Sequence, residues 1–181
     1  KNMSRYIQGL DPVDVPSGPD ERLLNDDELA RTRSLIYKMR WPATKVAPQV
    51  AYDIARGTQE LRRATVGTMK EANRVLVRLK DLDKKGEATV TFRKIDLSSV
   101  VALGPFDASL SKEEGRRSQE GFLNYLTDER VFNGPAPMNM VEFYSGAIKR
   151  VTVSTMASES SALGLAYDRN LYVRVMPQQM Q

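Results

Sequence analysis

Chemistry in this chain has a short list of possible carriers. The sequence contains no cysteine and no histidine. That excludes disulfides, thiolate–zinc sites, cysteine nucleophiles, serine–histidine triads and histidine-ligated metals. Carboxylates, lysine, arginine, hydroxyls and backbone remain. Two carboxylates stand in the most patterned surroundings: Asp107 within Phe106-Asp107-Ala108-Ser109, and Glu159 closing Ser154-Thr155-Met156-Ala157-Ser158-Glu159, with strand-like sequence between them. Two acids alone decide nothing, so the elements that would carry them matter. The cations form a second group. Lys70, Arg74 and Arg78 recur at four-residue steps and would share one face of a helix. Such a row can follow a phosphate backbone without reading sequence, although charge rows are also common on solvated helices. Lys149 and Arg150, just before the last predicted helix, join them as candidate nucleic-acid contacts.

The length of 181 residues, with 41% hydrophobic and 28% charged, suits one ordinary domain or two small halves. A net charge of +4 is compatible with nucleic acid or an acidic protein partner and demonstrates neither. No apolar run approaches the roughly 18 residues of a membrane helix, so no membrane span is expected.

Along the chain, Pro12, Pro16, Gly18 and Pro19 mark residues 1–24 as an extended, proline-rich arm. Asn25 with Glu28 reads as a capping box opening a helix. Its apolar face carries Leu29, Thr32, Ile36 and Met39, Pro42 is its stop, and the lone Trp41 is expected in the core. Pro48 suits the first turn of a second helix. A third is expected to open on Thr68 and Glu71, bury Ala72, Val75, Leu76, Leu79 and Leu82, and end at Gly86. The period then changes to two. Thr89–Arg93 reads as a strand, Val100–Leu103 as a short one, and Phe106–Ser109, Phe122–Leu126 and Met140–Tyr144 as the three strands of a sheet. A polar loop spans residues 112–117. The final helix, capped by Ser154, is expected to bury Leu163, Tyr167 and Leu171, with Ala162 and Ala166 allowing close approach and Pro177 near its end.

This order resembles the Pol polyprotein of copia-type LTR retrotransposons, at the join between the end of reverse transcriptase and the ribonuclease H domain. The resemblance is carried by Arg33-Ser34-Leu35-Ile36 through Met39-Arg40-Trp41, by Ala47-Pro48-Gln49-Val50-Ala51-Tyr52, and by Ala64-Thr65-Val66 with Glu71-Ala72-Asn73-Arg74-Val75-Leu76. It continues through Asp107-Ala108-Ser109, Arg117-Ser118-Gln119 before Gly121-Phe122, Ile148-Lys149-Arg150-Val151 and the segment Ser154 to Glu159. It implies an α+β protein: residues 25–96 a helical reverse-transcriptase connection-like segment, and 97–181 a truncated ribonuclease H-like fold with a three-stranded antiparallel sheet and a helix. In the family, RNA of an RNA–DNA hybrid is hydrolysed by two magnesium ions held between carboxylates. Asp107 would match the first catalytic aspartate and Glu159 the glutamate, both as metal ligands. The family's further aspartate and its last acidic residue would follow Gln181. Phe106 stands where the family has serine, Glu120 where it has glycine, and Ser145-Gly146-Ala147 alters a usually basic turn.

Three readings follow. The first is a retroelement-derived, nucleic-acid-associated structural subunit of a larger assembly, such as a ribosome or other ribonucleoprotein, with protein neighbours and no catalysis alone. The second is a fragment of an active magnesium-dependent reverse transcriptase and ribonuclease H. The third is a protein–protein scaffold.

Overall fold

The computed structural model describes residues 2–111 and 117–179. The chain forms two compact units, residues 1–89 and 90–181. Together they give a mixed α+β protein, helices followed by an antiparallel sheet and a long helix.

The first unit is helical: α1 (Met3–Gln8), α2 (Asp26–Ala43), α3 (Ala51–Glu60) and α4 (Val66–Lys84). The capping box at Asn25 and Glu28 is present in both directions. Arg22 reinforces it with two bonds to the Glu28 carboxylate, at 2.8 and 3.1 Å. Pro48 opens a single 3-10 turn that feeds α3. Leu35, Ile36 and Met39 of α2 meet Ile54 of α3 and Ala72, Val75, Leu76 and Leu79 of α4 in one apolar core. Gly86 ends the helical run at φ +73, a left-handed position that glycine occupies without strain.

Local chemistry overrides the expected boundaries at several points. The arm is not extended throughout, because Asn2 caps α1 before the first proline and Ile7 is drawn into the core. The rest of it is pinned by a short antiparallel bridge, Leu24 N to Ala64 O and Val66 N to Arg22 O. Helix α2 runs one residue past Pro42. Trp41 is not a core residue: it is 37% exposed and stands edge-on to Tyr6, ring centres 4.7 Å apart. Helix α4 begins a turn earlier than expected, with Thr65 and Thr68 bonded reciprocally, which brings Val66 and Met69 into the buried set.

In the second unit, residues 90–96 are not a strand. Phe92 is 66% exposed, and the ladder contact of this stretch is a clamp in which the Asn139 side chain receives Arg93 N–H and donates to Arg93 O. The sheet contains β1 (Val100–Leu103), β2 (Phe106–Ser109), β3 (Gln119–Asp128) and β4 (Asn139–Ala147). Four strands replace the expected three, but β1 and β2 keep one register against β3, from Val100 opposite Asp128 to Ser109 opposite Gln119. Pro105 O still accepts from Leu123 N. The pair is one long edge strand, interrupted where proline has no N–H to give. On the other side, β4 pairs with β3 through a bulge at Asn124 and Tyr125.

Helix α5 (Thr155–Gln179) lies on this sheet. Ser154 caps it, its Oγ accepting Ala157 N–H, and the helix continues through Pro177 rather than stopping there. Its buried face reverses the expectation. Ser158, Ala162, Ala166 and Val173 are buried, while Leu163, Tyr167 and Leu171 are exposed. Small residues win because they let the helix axis come close to a sheet face already filled by Phe122. Ser161 bonds Glu120 and Asn170 bonds Asn124. Nine residues of helix rise about 13.5 Å and four of strand about 13 Å, so α5 runs along β3.

Candidate functional site

The pleat decides what the two singled-out carboxylates can do together. Glu120 and Asn124 reach α5, so the even-numbered positions of β3 face the helix. Their cross-strand partners in the edge strand are Ala108 for Glu120 and Phe106 for Phe122. Asp107 sits opposite Gly121 and therefore on the other face, exposed. Glu159 is half-buried on α5. The structure thus does not bring Asp107 and Glu159, the expected magnesium ligands, to one face. The alternation of the strand sets Phe106 and Ala108 on the helix side and Asp107 on the other, although Phe106 stays 39% exposed. Among the described residues, no group of three or more acids is placed to hold a metal ion.

The expected phosphate ridge on α4 is largely neutralised by the protein's own acids. Lys70 Nζ lies 2.6 Å from Asp20, Arg74 2.9 Å from Glu71 and Arg78 2.9 Å from Asp53. These are exposed pairs, weak individually, and each lowers the net charge offered to a polyanion. Lys149 and Arg150 differ. Both are exposed in the link after β4, and neither makes an ion pair among the described residues.

What sequence reasoning missed is a polar seam between sheet and helix. Thr152 donates to Ser118 at 2.8 Å, and Ser158 donates to Thr152 at 3.0 Å. Ser161 donates to Glu120 at 2.9 Å. Asn124, fully buried, donates to Glu142 at 3.1 Å and accepts from Asn170 at 3.3 Å. Arg169 closes the row on Glu142 at 2.7 Å. Gly104 makes room for it: a Cβ there would stand 2.9 Å from the Asn170 amide nitrogen. A glutamate among strand residues at 120 was the visible signal, since a buried acid must find a donor. Ser161 donates its hydroxyl to Glu120, which gives that buried acid its partner.

A second buried acid, Asp128, ends β3. The Arg130 guanidinium holds its carboxyl far below the usual carboxylate range, helped by Asp96 N–H and opposed by burial. Asp96 is lowered too, by the Ser98 hydroxyl and N–H. For a depressed acid, the stabilisation is fully present above the unfolded pKa of about 4 and is lost as pH falls toward the folded value. The second unit is therefore expected to lose stability steeply below about pH 4. Asp128→Asn should flatten that slope in urea unfolding followed across acid pH; an unchanged slope would count against this pairing.

No family model, curated protein or solved structure matches the chain. Among the described residues, no helix is long and apolar enough to cross a membrane.

Proposed function

We propose that this chain is a ribonuclease H-like protein of retroelement descent that lacks catalysis of its own and serves as a nucleic-acid-associated structural subunit of a larger assembly, a ribonucleoprotein such as a ribosome being the class that fits. The placement of Asp107 and Glu159 on different sides of the sheet carries the non-catalytic half of this reading. Descent rests on the copia-type resemblance, and the succession of three antiparallel strands in one meander followed by a helix is compatible with it. Nucleic-acid association rests on Lys149 and Arg150, which are exposed and make no ion pair among the described residues, more than on the self-paired row at Lys70, Arg74 and Arg78.

The test is RNA affinity measured against salt. Each phosphate contact contributes about 0.7–0.9 to the slope of log affinity on log salt. Lys149→Glu with Arg150→Glu should make the slope shallower by about 1.4–1.8, while Lys70→Glu, Arg74→Glu and Arg78→Glu should have a smaller effect per residue. No salt dependence in the unaltered protein would remove the nucleic-acid reading. The enzymatic alternative is checked on a labelled RNA–DNA hybrid with magnesium. Asp107→Asn should match the unaltered protein at background; a loss specific to that variant would restore a metal-dependent nuclease.

A further inference from the structure

Helix α2 lies in the one long stretch of the first unit that is basic without opposition. Between Glu28 and Asp53 the sequence has five basic residues and no acid. Arg31 is near enough to act on Glu28. The other four, Arg33, Lys38, Arg40 and Lys45, are exposed and make no ion pair among the described residues. This sets α2 apart from α4, whose row of three cations is matched by Asp20, Glu71 and Asp53. The helices beside α2 do not supply the missing acid. Helix α1 contains none, and Asp53 and Glu60 of α3 are held by Arg78 and Arg56. Asp26 and Asp27 sit in the first turn of α2, about 15 Å along the axis from Tyr37.

Two aromatic rings stand among these cations. Tyr37 is 47% exposed and Trp41 37%. At about 100° per residue both lie within about 30° of the direction opposite the buried residues of α2. Arg33 and Arg40 flank them on one side and Lys38 on the other, each about 60–80° round the helix. Lys45 follows just past the last turn. The rings are one turn apart, about 6 Å of rise. Trp41 is held in place: Tyr6 meets it edge-on at 4.7 Å, and the Tyr6 hydroxyl donates to Lys38 O at 3.1 Å.

We propose that this face of α2 binds single-stranded nucleic acid, with bases stacked on Tyr37 and Trp41 and phosphates on Arg33, Lys38, Arg40 and Lys45. The inference rests on the nucleic-acid reading above and gives it a second surface, on a different unit from Lys149 and Arg150. Cations alone would accept any polyanion. The rings narrow the choice. In a duplex the bases are stacked on one another, whereas a single strand has open base faces to lay on a side chain. An acidic protein would satisfy the cations and leave the rings without a matching surface. Rings and cations interleaved on one face are the two components that single-strand sites combine. Every base has such a face, so little sequence preference is expected.

The chain carries its own reporter, since Trp41 is its single tryptophan. The full 181-residue protein, freed of carried nucleic acid, is titrated with an oligouridylate while Trp41 fluorescence is followed. Saturable quenching is expected, weakening as salt rises. Tyr37→Ala, at an exposed position outside the core, should lower the affinity at least about fivefold, with the far-ultraviolet circular dichroism unchanged. Arg33→Glu with Arg40→Glu should make the slope of log affinity on log salt shallower by about 1.4. The same strand paired with oligoadenylate should bind less tightly and ignore Tyr37→Ala. RNA binding that leaves Trp41 fluorescence unmoved, ignores Tyr37→Ala and is lost with Lys149→Glu and Arg150→Glu would overturn the α2 site and keep the reading above. No binding of any RNA would overturn both. Equal affinity for the duplex would overturn the single-strand site. Polyglutamate displacing the oligouridylate as well as a second oligouridylate does would assign the face to an acidic protein instead.

Discussion

Replacing Leu79 with alanine is expected to destabilise the first unit by about 2–5 kcal/mol, the range for emptying a leucine-sized volume in a packed core. Leu79 is fully buried at the point where α4 meets the rest of the helical core. Its loss removes transfer energy and leaves a cavity that four helices, tied through caps and the Leu23–Thr65 bridge, cannot collapse into freely. The single tryptophan makes the measurement selective. Trp41 belongs to this unit and stands against Tyr6, so its fluorescence in urea follows residues 1–89. Val77→Ala, on the exposed side of the same helix, should shift the transition by less than about 0.5 kcal/mol. Equal effects at the two positions would mean that α4 presents a different face to the core.

Asn124→Ala should cost the second unit about 2–4 kcal/mol. Two hydrogen bonds disappear, and the Asn170 amide and one Glu142 oxygen lose a partner beneath the helix, a penalty larger than the net worth of the bonds. A small cavity adds to it. The measurement is urea unfolding followed by far-ultraviolet circular dichroism, with the Trp41 transition as internal reference. A change below about 0.5 kcal/mol, within the range of ordinary surface substitutions, would show that water replaces the lost partners.

Much of the architecture could be read from residue patterns because it rests on local chemistry. Asn25 with Glu28, Pro48, the Ala72–Leu79 stripe and Gly86 each act within a turn or two of chain. So do the alternations that locate the strands at Phe106, Phe122 and Val141. The failures share a different cause, competition for a common surface. Thr89–Arg93 alternates like a strand, but its one ladder contact is with a side chain of β4. Leu163, Tyr167 and Leu171 repeat like a core stripe, but α5 carries two apolar stripes, and only the sheet determines which is covered. Trp41 stands edge-on to Tyr6 at the margin instead of entering the core. The separation of Asp107 from Glu159 has a reason that the sequence did contain. In Phe106-Asp107-Ala108-Ser109 the apolar residues alternate with the polar ones, so a strand that sets Phe106 and Ala108 on the helix side turns Asp107 to the other. The seam at Glu120, Asn124 and Glu142 was hidden because no short spacing joins residues paired across a sheet and a helix.

That seam also bears on how the second unit assembles. Alanines at 162 and 166 give α5 a smooth track along β3, with little in shape alone to stop the helix from sliding by a turn. The bonds from Ser161 and Asn170 act as two pegs whose spacing on the helix matches that of Glu120 and Asn124 on the strand. A displaced helix would miss both at once and strand two buried polar groups, Glu120 and Asn124. Docking is thus an all-or-none event that waits for the meander to form, a lock that closes only when the slots are already cut.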